Sequence, residues 1–225
     1  MKTQTKISAL LLALMSVAAC QAAPTKEPGT EMSDAWDDAQ GRPPTPRTMR
    51  IYAQVLANNG KEAESEYTLR RTIYEYPDYL PAYIDLAELC MRQDRIPDAV
   101  DVLESAQEWV PDDPVVLNDL GMCAMLEDRT VEALGWFERA AEQAPREARY
   151  QSNVAVALGR LGRYEEALSI YLDVIGVKPN DAYFNVAVLC ESRGDLEQAA
   201  EYFGLAGATE DAERARASMQ EAVQE

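Results

Sequence analysis

Residues 114–145 read PVVLNDLGMCAMLEDRTVEALGWFERAAEQAP, two apolar-faced stretches parted by Glu127-Asp128 and closed by Pro145. The same pattern runs up to each of Pro77, Pro111, Pro145 and Pro179, which fall 34 residues apart. A period of that length marks a solenoid of stacked repeats and not an enclosed catalytic domain, so function is expected on a binding surface.

Alignment on the prolines stacks small residues at one register: Ser65, Ala99, Ala133 and Ala167. Next come Leu69, Leu103, Phe137 and Tyr171, and then Thr72, Ala106, Ala140 and Val174. These are expected core positions, since small side chains let two helices approach and a large one fills the remaining space. A fifth unit follows with Ala199, Phe203 and Ala206, but Ala167 and Ala199 are 32 residues apart and no proline closes it, so this unit is degenerate.

Period and punctuation predict first helices over residues 47–59, 81–93, 115–127, 149–161 and 181–193, and second helices over 63–76, 97–110, 131–144, 165–177 and 197–207. The turns are Asn59-Gly60, Gln93-Asp94, Glu127-Asp128, Leu161-Gly162 and Arg193-Gly194, several of which offer a residue that tolerates the left-handed region. Residues 209–223 place Ala212, Ala215, Met219 and Ala222 at helical spacing amid charges, so the tail from 208 to 225 reads as a capping helix. No alternating, β-branched run of strand length occurs, and the expected fold class is all-α.

With units opening at residues 46, 80, 114, 148 and 180, Leu117, Leu120, Gly121 and the turn Gly162-Arg163-Tyr164-Glu165-Glu166-Ala167 resemble the tetratricopeptide repeat (TPR). The resemblance covers about residues 46–207 and implies a right-handed superhelical solenoid of about five helix-turn-helix repeats. Repeat one departs most, with Ser65 and Thr72 in place of alanines, as expected of an end repeat under lower packing demand.

Ahead of the array, Lys2 and Lys6 precede an apolar run from Ile7 to Ala19. Those 13 residues are too few to span a bilayer, which needs about 20, so residues 1–19 read as a secretory signal. Val17-Ala18-Ala19-Cys20 also resembles the bacterial lipobox. Three readings compete at Cys20: lipid attachment, which is favoured, an ordinary signal cleaved downstream, and an uncleaved anchor. By that resemblance, the absence of Asp after the cysteine, where Gln21 stands, favours the outer membrane of a Gram-negative cell, facing the periplasm, with an inner-membrane or Gram-positive surface location as the alternatives. Residues 20–45, rich in Pro, Gly and polar residues, read as a disordered tether.

The formal net charge is −18, and removing residues 1–19 leaves −20. Nucleic acid is therefore not an expected partner. The chain contains no histidine, which removes Ser-His-Asp and Cys-His nucleophilic sites, His-based zinc sites and the commonest general base. No glycine-rich phosphate loop appears, so neither an enzyme nor a cofactor or metal protein is expected. Cys90, Cys123 and Cys190 fall in first helices and read as small buried thiols, with the register offset of Cys123 opposing a bond to Cys90.

The TPR resemblance implies a concave groove lined by first helices. At its sixth position stand Asp85, Asp119, Asn153 and Asn185, and at its ninth Gln54, Glu88, Met122, Val156 and Val188. The fifth position gives Asn118, and the twelfth gives Met91 and Met125. Asn153 and Asn185 resemble the asparagines with which some TPR grooves hold an extended peptide, while the methionines form a soft patch for apolar side chains. Lipobox, tether and array together resemble two families, the TadD-like lipoproteins of tight-adherence (Flp) pilus systems and the pilotins of type IV pili, and the stretch 147–155 with the shortened fourth-to-fifth spacing looks more TadD-like. That implies an adaptor for pilus or secretion assembly, with a secretin or pilus component as partner. The alternative is a periplasmic scaffold for cell-wall enzymes or proteases.

Overall fold

The computed structural model describes residues 44–222, with side chains through residue 220. The expectations for residues 1–19, for Cys20 and for the tether up to residue 43 lie outside the described residues. Eleven α-helices succeed one another: α1 (Pro46–Asn58), α2 (Glu62–Glu75), α3 (Leu80–Arg92), α4 (Ile96–Gln107), α5 (Pro114–Leu126), α6 (Thr130–Gln143), α7 (Ala148–Arg160), α8 (Tyr164–Ser169), α9 (Pro179–Arg193), α10 (Leu196–Ala206) and α11 (Thr209–Ala222). Among the described residues there is no strand, and no helix is long and apolar enough to cross a membrane. The five helix pairs and the terminal helix are those the period predicts.

Proline in the first turn opens α1, α3, α4, α5 and α9, where its fixed φ suits the helix and its missing N–H costs no bond. Asp113 caps α5, its Oδ1 accepting from the Val115 and Val116 amides at 2.9 and 3.4 Å. Every helix pair then reverses in the same way. Gly60, Asp94, Asp128, Gly162 and Gly194 all adopt positive φ, between 58° and 89°. The next residue's amide donates back to a carbonyl of the first helix: Lys61 to Leu56, Arg95 to Cys90, Arg129 to Ala124, Arg163 to Leu158 and Asp195 to Cys190, all at 2.9–3.0 Å. This closure satisfies the carbonyls that a helix end leaves orphaned and fixes the angle at which the second helix returns.

The returning helices bury the aligned register. Ser65, Ala99, Ala133, Ala167 and Ala199 are at most 1% exposed, and Leu69, Leu103, Phe137, Tyr171 and Phe203 at most 5%. In the first repeat Ser65 and Thr72 are buried as fully as the alanines of the others, while its first helix, at the end of the array, buries only Met49, Ala53 and Leu56. Those two polar residues are tolerated because their hydroxyls donate to backbone carbonyls, Ser65 to Ala53 and Thr72 to Thr68, both at 2.8 Å. The three cysteines are buried and free, as expected, and burial pushes the Cys123 and Cys190 thiols up to about 12.

The fourth repeat departs from its register. After α8 the chain continues as a π-helical segment, Ile170–Ile175, and ends at Gly176 with φ 74°, not at residue 177. The extra residue per turn rotates the rest of the segment, so Val174, expected in the core, is 54% exposed. Tyr171 at the start of the segment keeps its buried place.

Candidate functional site

First helices touch in succession, α1 with α3, α3 with α5 and α7 with α9, and a hydrogen bond from Asn153 of α7 to Asn118 of α5 joins the two halves. At the N-terminal end of this shared face Asp85 is already occupied. Arg50 grips it with two bonds, Nε to Oδ2 at 2.8 Å and Nη2 to Oδ1 at 2.9 Å, and Gln54 Nε2 adds a third at 2.8 Å. The register predicts that Asp85 faces a ligand, but it instead pins α3 to α1 as a bidentate, charge-assisted pair. Beneath this clamp lies a cleft of about 360 Å³ lined by Gln54, Ala57, Asp85, Glu88 and Arg92. Glu88 makes no hydrogen bond or salt bridge among the described residues, and burial first, then the charge of Asp85, pushes its carboxyl up.

In the middle of the array, α5 is buried on nearly every side, nine of its 13 residues being inaccessible. Asn118 and Asp119 belong to that set at 4% and 9% exposure, so neither lines an open groove as expected. They form a polar chain: Asn153 Nδ2 of α7 donates to Asn118 Oδ1 at 2.6 Å, and Asn118 Nδ2 donates to Asp119 Oδ1 at 3.1 Å. The chain stops there. Asp119 Oδ2 and Gln107 Nε2 are the buried side-chain polar atoms left without a partner among the described residues. Burial pushes the Asp119 carboxyl up to about 7; the Asn118 bond opposes this, the Glu88 charge adds to it, and Arg149 opposes it weakly. Arg149 is turned aside, its Nη2 bonding the Tyr150 hydroxyl at 2.8 Å and its guanidinium lying 4.7 Å from that ring.

The apolar part of the expected groove divides. Met125, 2% exposed, and Val156, 7% exposed, are core residues, which corrects their assignment to the groove. Met125 packs among Leu117, Ala133 and Phe137 in the C-terminal core cluster. Val156 is buried because α7 and α9 come very close: a Cβ on Gly159 would lie 2.5 Å from Leu189 Cδ1. Met91 and Met122 are half-buried but pack against different clusters, so they do not make the single soft patch expected. Asn185 and Val188 of α9 are half-buried, and Asn185 makes no side-chain hydrogen bond among the described residues. Its amide is the open one. The repeat register alone gives Glu88 and Arg149 no special role, although two adjacent polar residues, Asn118-Asp119, in an otherwise apolar helix signal a buried polar group with charged neighbours.

Two tetratricopeptide-repeat models match the chain, over residues 56–118 and 154–213. No curated protein sequence matches it. Among solved structures it is similar to PilW, described as a widely conserved type IV pilus biogenesis factor, at 16% identity and TM-score 0.61, covering 80% of this chain and 89% of that one. YrrB, described as a TPR protein with an unusual peptide-binding site, is 19% identical with TM-score 0.57, covering 75% and 90%. MamA from Desulfovibrio magneticus RS-1 is 17% identical with TM-score 0.58, covering 73% and 94%. At these identities the likeness speaks for the fold. Joined to the five identical helix reversals, it makes the helical array a tetratricopeptide-repeat solenoid.

Proposed function

We propose that this protein is a membrane-anchored adaptor whose first-helix face holds a segment of a partner protein, in the assembly of a pilus or secretion apparatus of the bacterial envelope. The observation that carries the reading is Asn185: a half-buried amide on the shared face with no partner of its own, able to donate and accept at once toward an extended backbone. The resemblance of the array to a pilus biogenesis factor over most of both chains supports the choice of apparatus. Cys20 and the residues around it supply the anchor, with several acyl chains at about 0.8 kcal/mol per buried methylene holding the chain at the membrane. The proposed location is the outer membrane, facing the periplasm.

Affinity capture from detergent-solubilised membranes tests the role. A secretin or pilus component is the expected catch, and its recovery should fall with Asn185→Ala while the melting temperature stays unchanged. Recovery of neither, under conditions that preserve such complexes, overturns the pilus assignment. Mass spectrometry of the mature N-terminus checks the anchor: a peptide beginning at unmodified residues downstream of Cys20 would remove it.

A further inference from the structure

The cleft beneath the Arg50–Asp85 clamp carries more polar groups than the fold uses. Four of those lining it are committed: Gln54 donates to Asp85, Asp85 is gripped by Arg50, Glu62 accepts from Gln93 Nε2 at 2.8 Å, and Ser65 donates to the Ala53 carbonyl. Three others are uncommitted. The Asn58 amide, the Glu88 carboxylate and the Arg92 guanidinium line the same cleft and make no side-chain hydrogen bond or salt bridge among the described residues. Glu88 and Arg92 stand four residues apart on α3 with the acid first, the spacing and order that ordinarily pair on a helix. Here they do not bond, and burial first, then the charge of Asp85, pushes the Glu88 carboxyl up. Glu88 is half-buried and Arg92 exposed, so both can be reached by a group entering the cleft.

We propose that this cleft binds an extended segment of the partner protein that carries a basic and an acidic side chain two residues apart, the basic one on Glu88 and the acidic one on Arg92. The inference rests on the groove reading and names the chemistry its ligand must carry. One helical turn sets Glu88 and Arg92 about 6 Å apart along the axis of α3. Alternate residues of an extended strand lie about 6.6–6.8 Å apart and point to the same side, so two such side chains enter the cleft together. The walls are mainly polar, unlike the apolar pockets that bury small molecules, which favours a segment laid across the cleft. Leu69 and Leu89 offer the stem of a lysine or arginine an apolar floor. The head group then meets an acceptor that the fold has partly desolvated, where the attraction is stronger than in open water. Arg92 can take the segment's carboxylate with two parallel bonds, and the Asn58 amide can donate to and accept from its backbone.

The test uses the full chain and alanine–serine peptides with a central lysine-alanine-aspartate, titrated by calorimetry at low salt. Three control peptides replace lysine by N-acetyl-lysine, replace aspartate by asparagine, or remove the spacer so that the two charged side chains point to opposite sides. The lysine-alanine-aspartate peptide should bind tightest. Glu88→Gln should weaken it about tenfold and leave the acetylated peptide unchanged. Arg92→Gln should weaken it about twofold to fivefold and leave the asparagine peptide unchanged. Melting temperatures should stay where they are, since neither side chain bonds within the fold, and the Arg92→Gln arm decides alone if Glu88→Gln fails to fold. Equal affinity of the four peptides, or variants that weaken all of them alike, overturns the inference. Free lysine binding as tightly as the peptide would make the cleft a small-molecule site and overturn it as well. If no peptide binds while partner capture still depends on Asn185, the inference falls and the groove reading stands; if that dependence is absent too, both fall.

Discussion

Asn153 donates to Asn118 at 2.6 Å across 35 residues of sequence, and this single bond ties the face of α7 to that of α5. Because Asn118 also donates to Asp119, its amide is the middle link of three groups, two of them buried. Asn118→Ala should cost about 1–3 kcal/mol, since it strands both neighbours in a poorly hydrated place. Urea unfolding measures it, and a double-mutant cycle with Asn153→Ala should return a coupling of about 0.5 kcal/mol or more. Additive effects would mean that the chain does not form in solution. The same bond makes Asn153 a poor groove probe, and leaves Asn185→Ala as the cleaner one.

Asp119 and Glu66 set opposite pH dependences. The Asp119 carboxyl is raised from about 3.8 to about 7, so the folded state holds a proton that the unfolded state has released, and stability should fall as pH rises through that window. Glu66 is held down at about 2, chiefly by its hydrogen bonds with Arg95, so its contribution is present above about 4.5 and lost as pH falls through the folded value. The two windows meet at about pH 4, and there the summed contribution of the two groups should peak. Asp119→Asn should flatten the upper limb and unfold at higher urea than the parent at about pH 8, by on the order of a few kcal/mol at most. If the variant matched the parent throughout, Asp119 would be ionised at no cost and the burial argument would fail. Glu66 is partly exposed, so its share of the acid limb should be small and salt-sensitive.

The period and the turn residues carried most of the fold. Small residues at 99, 133, 167 and 199 can be aligned without coordinates because helix approach demands them, and the glycine or aspartate at each reversal is set by the left-handed closure. What escaped depended on neighbours that a single repeat does not display. Asn118, Asp119 and Met125 stand at registers exposed in an isolated unit, yet α5 lies mid-array and is covered from both sides. Asp85 could not be seen as spent until α1 placed Arg50 against it. The π segment has no composition of its own in Ile170–Ile175, and only the folded backbone, with Val174 turned out, reveals the shift.

Aspartate at the left-handed positions is a compromise. Asp94 sits at φ 60°, where Cβ crowds the backbone, whereas Gly60 and Gly162 occupy the same place in other repeats without that penalty. Asp94→Gly should therefore stabilise the protein by up to about 1 kcal/mol, the relieved strain being offset in part by the freer unfolded chain. Thermal unfolding checks it, and a loss of stability would show that the aspartate side chain supports the turn. Asp128 makes a weaker test, because its Oδ1 accepts from Arg160 Nη2 at 2.7 Å.

Two helical glycines should respond in opposite directions to the same substitution. A Cβ on Gly159 would meet Leu189 Cδ1, Cβ and Cγ at 2.5, 2.9 and 3.0 Å. A change of Leu189 rotamer could move Cδ1 but not Cβ, so α7 and α9 would have to separate at the base of the proposed binding face. Gly159→Ala is expected to cost about 1–3 kcal/mol despite alanine's better helix propensity. Gly135, exposed on α6, has nothing within 4 Å of the added carbon. There the propensity acts alone, and Gly135→Ala should gain about 0.5–1 kcal/mol. Urea midpoints of the two variants, taken with unchanged m-values, decide the matter: a rise of both would mean that close packing of α7 on α9 does not limit the stability of the array, and a fall of both that helix propensity does not decide the outcome at Gly135.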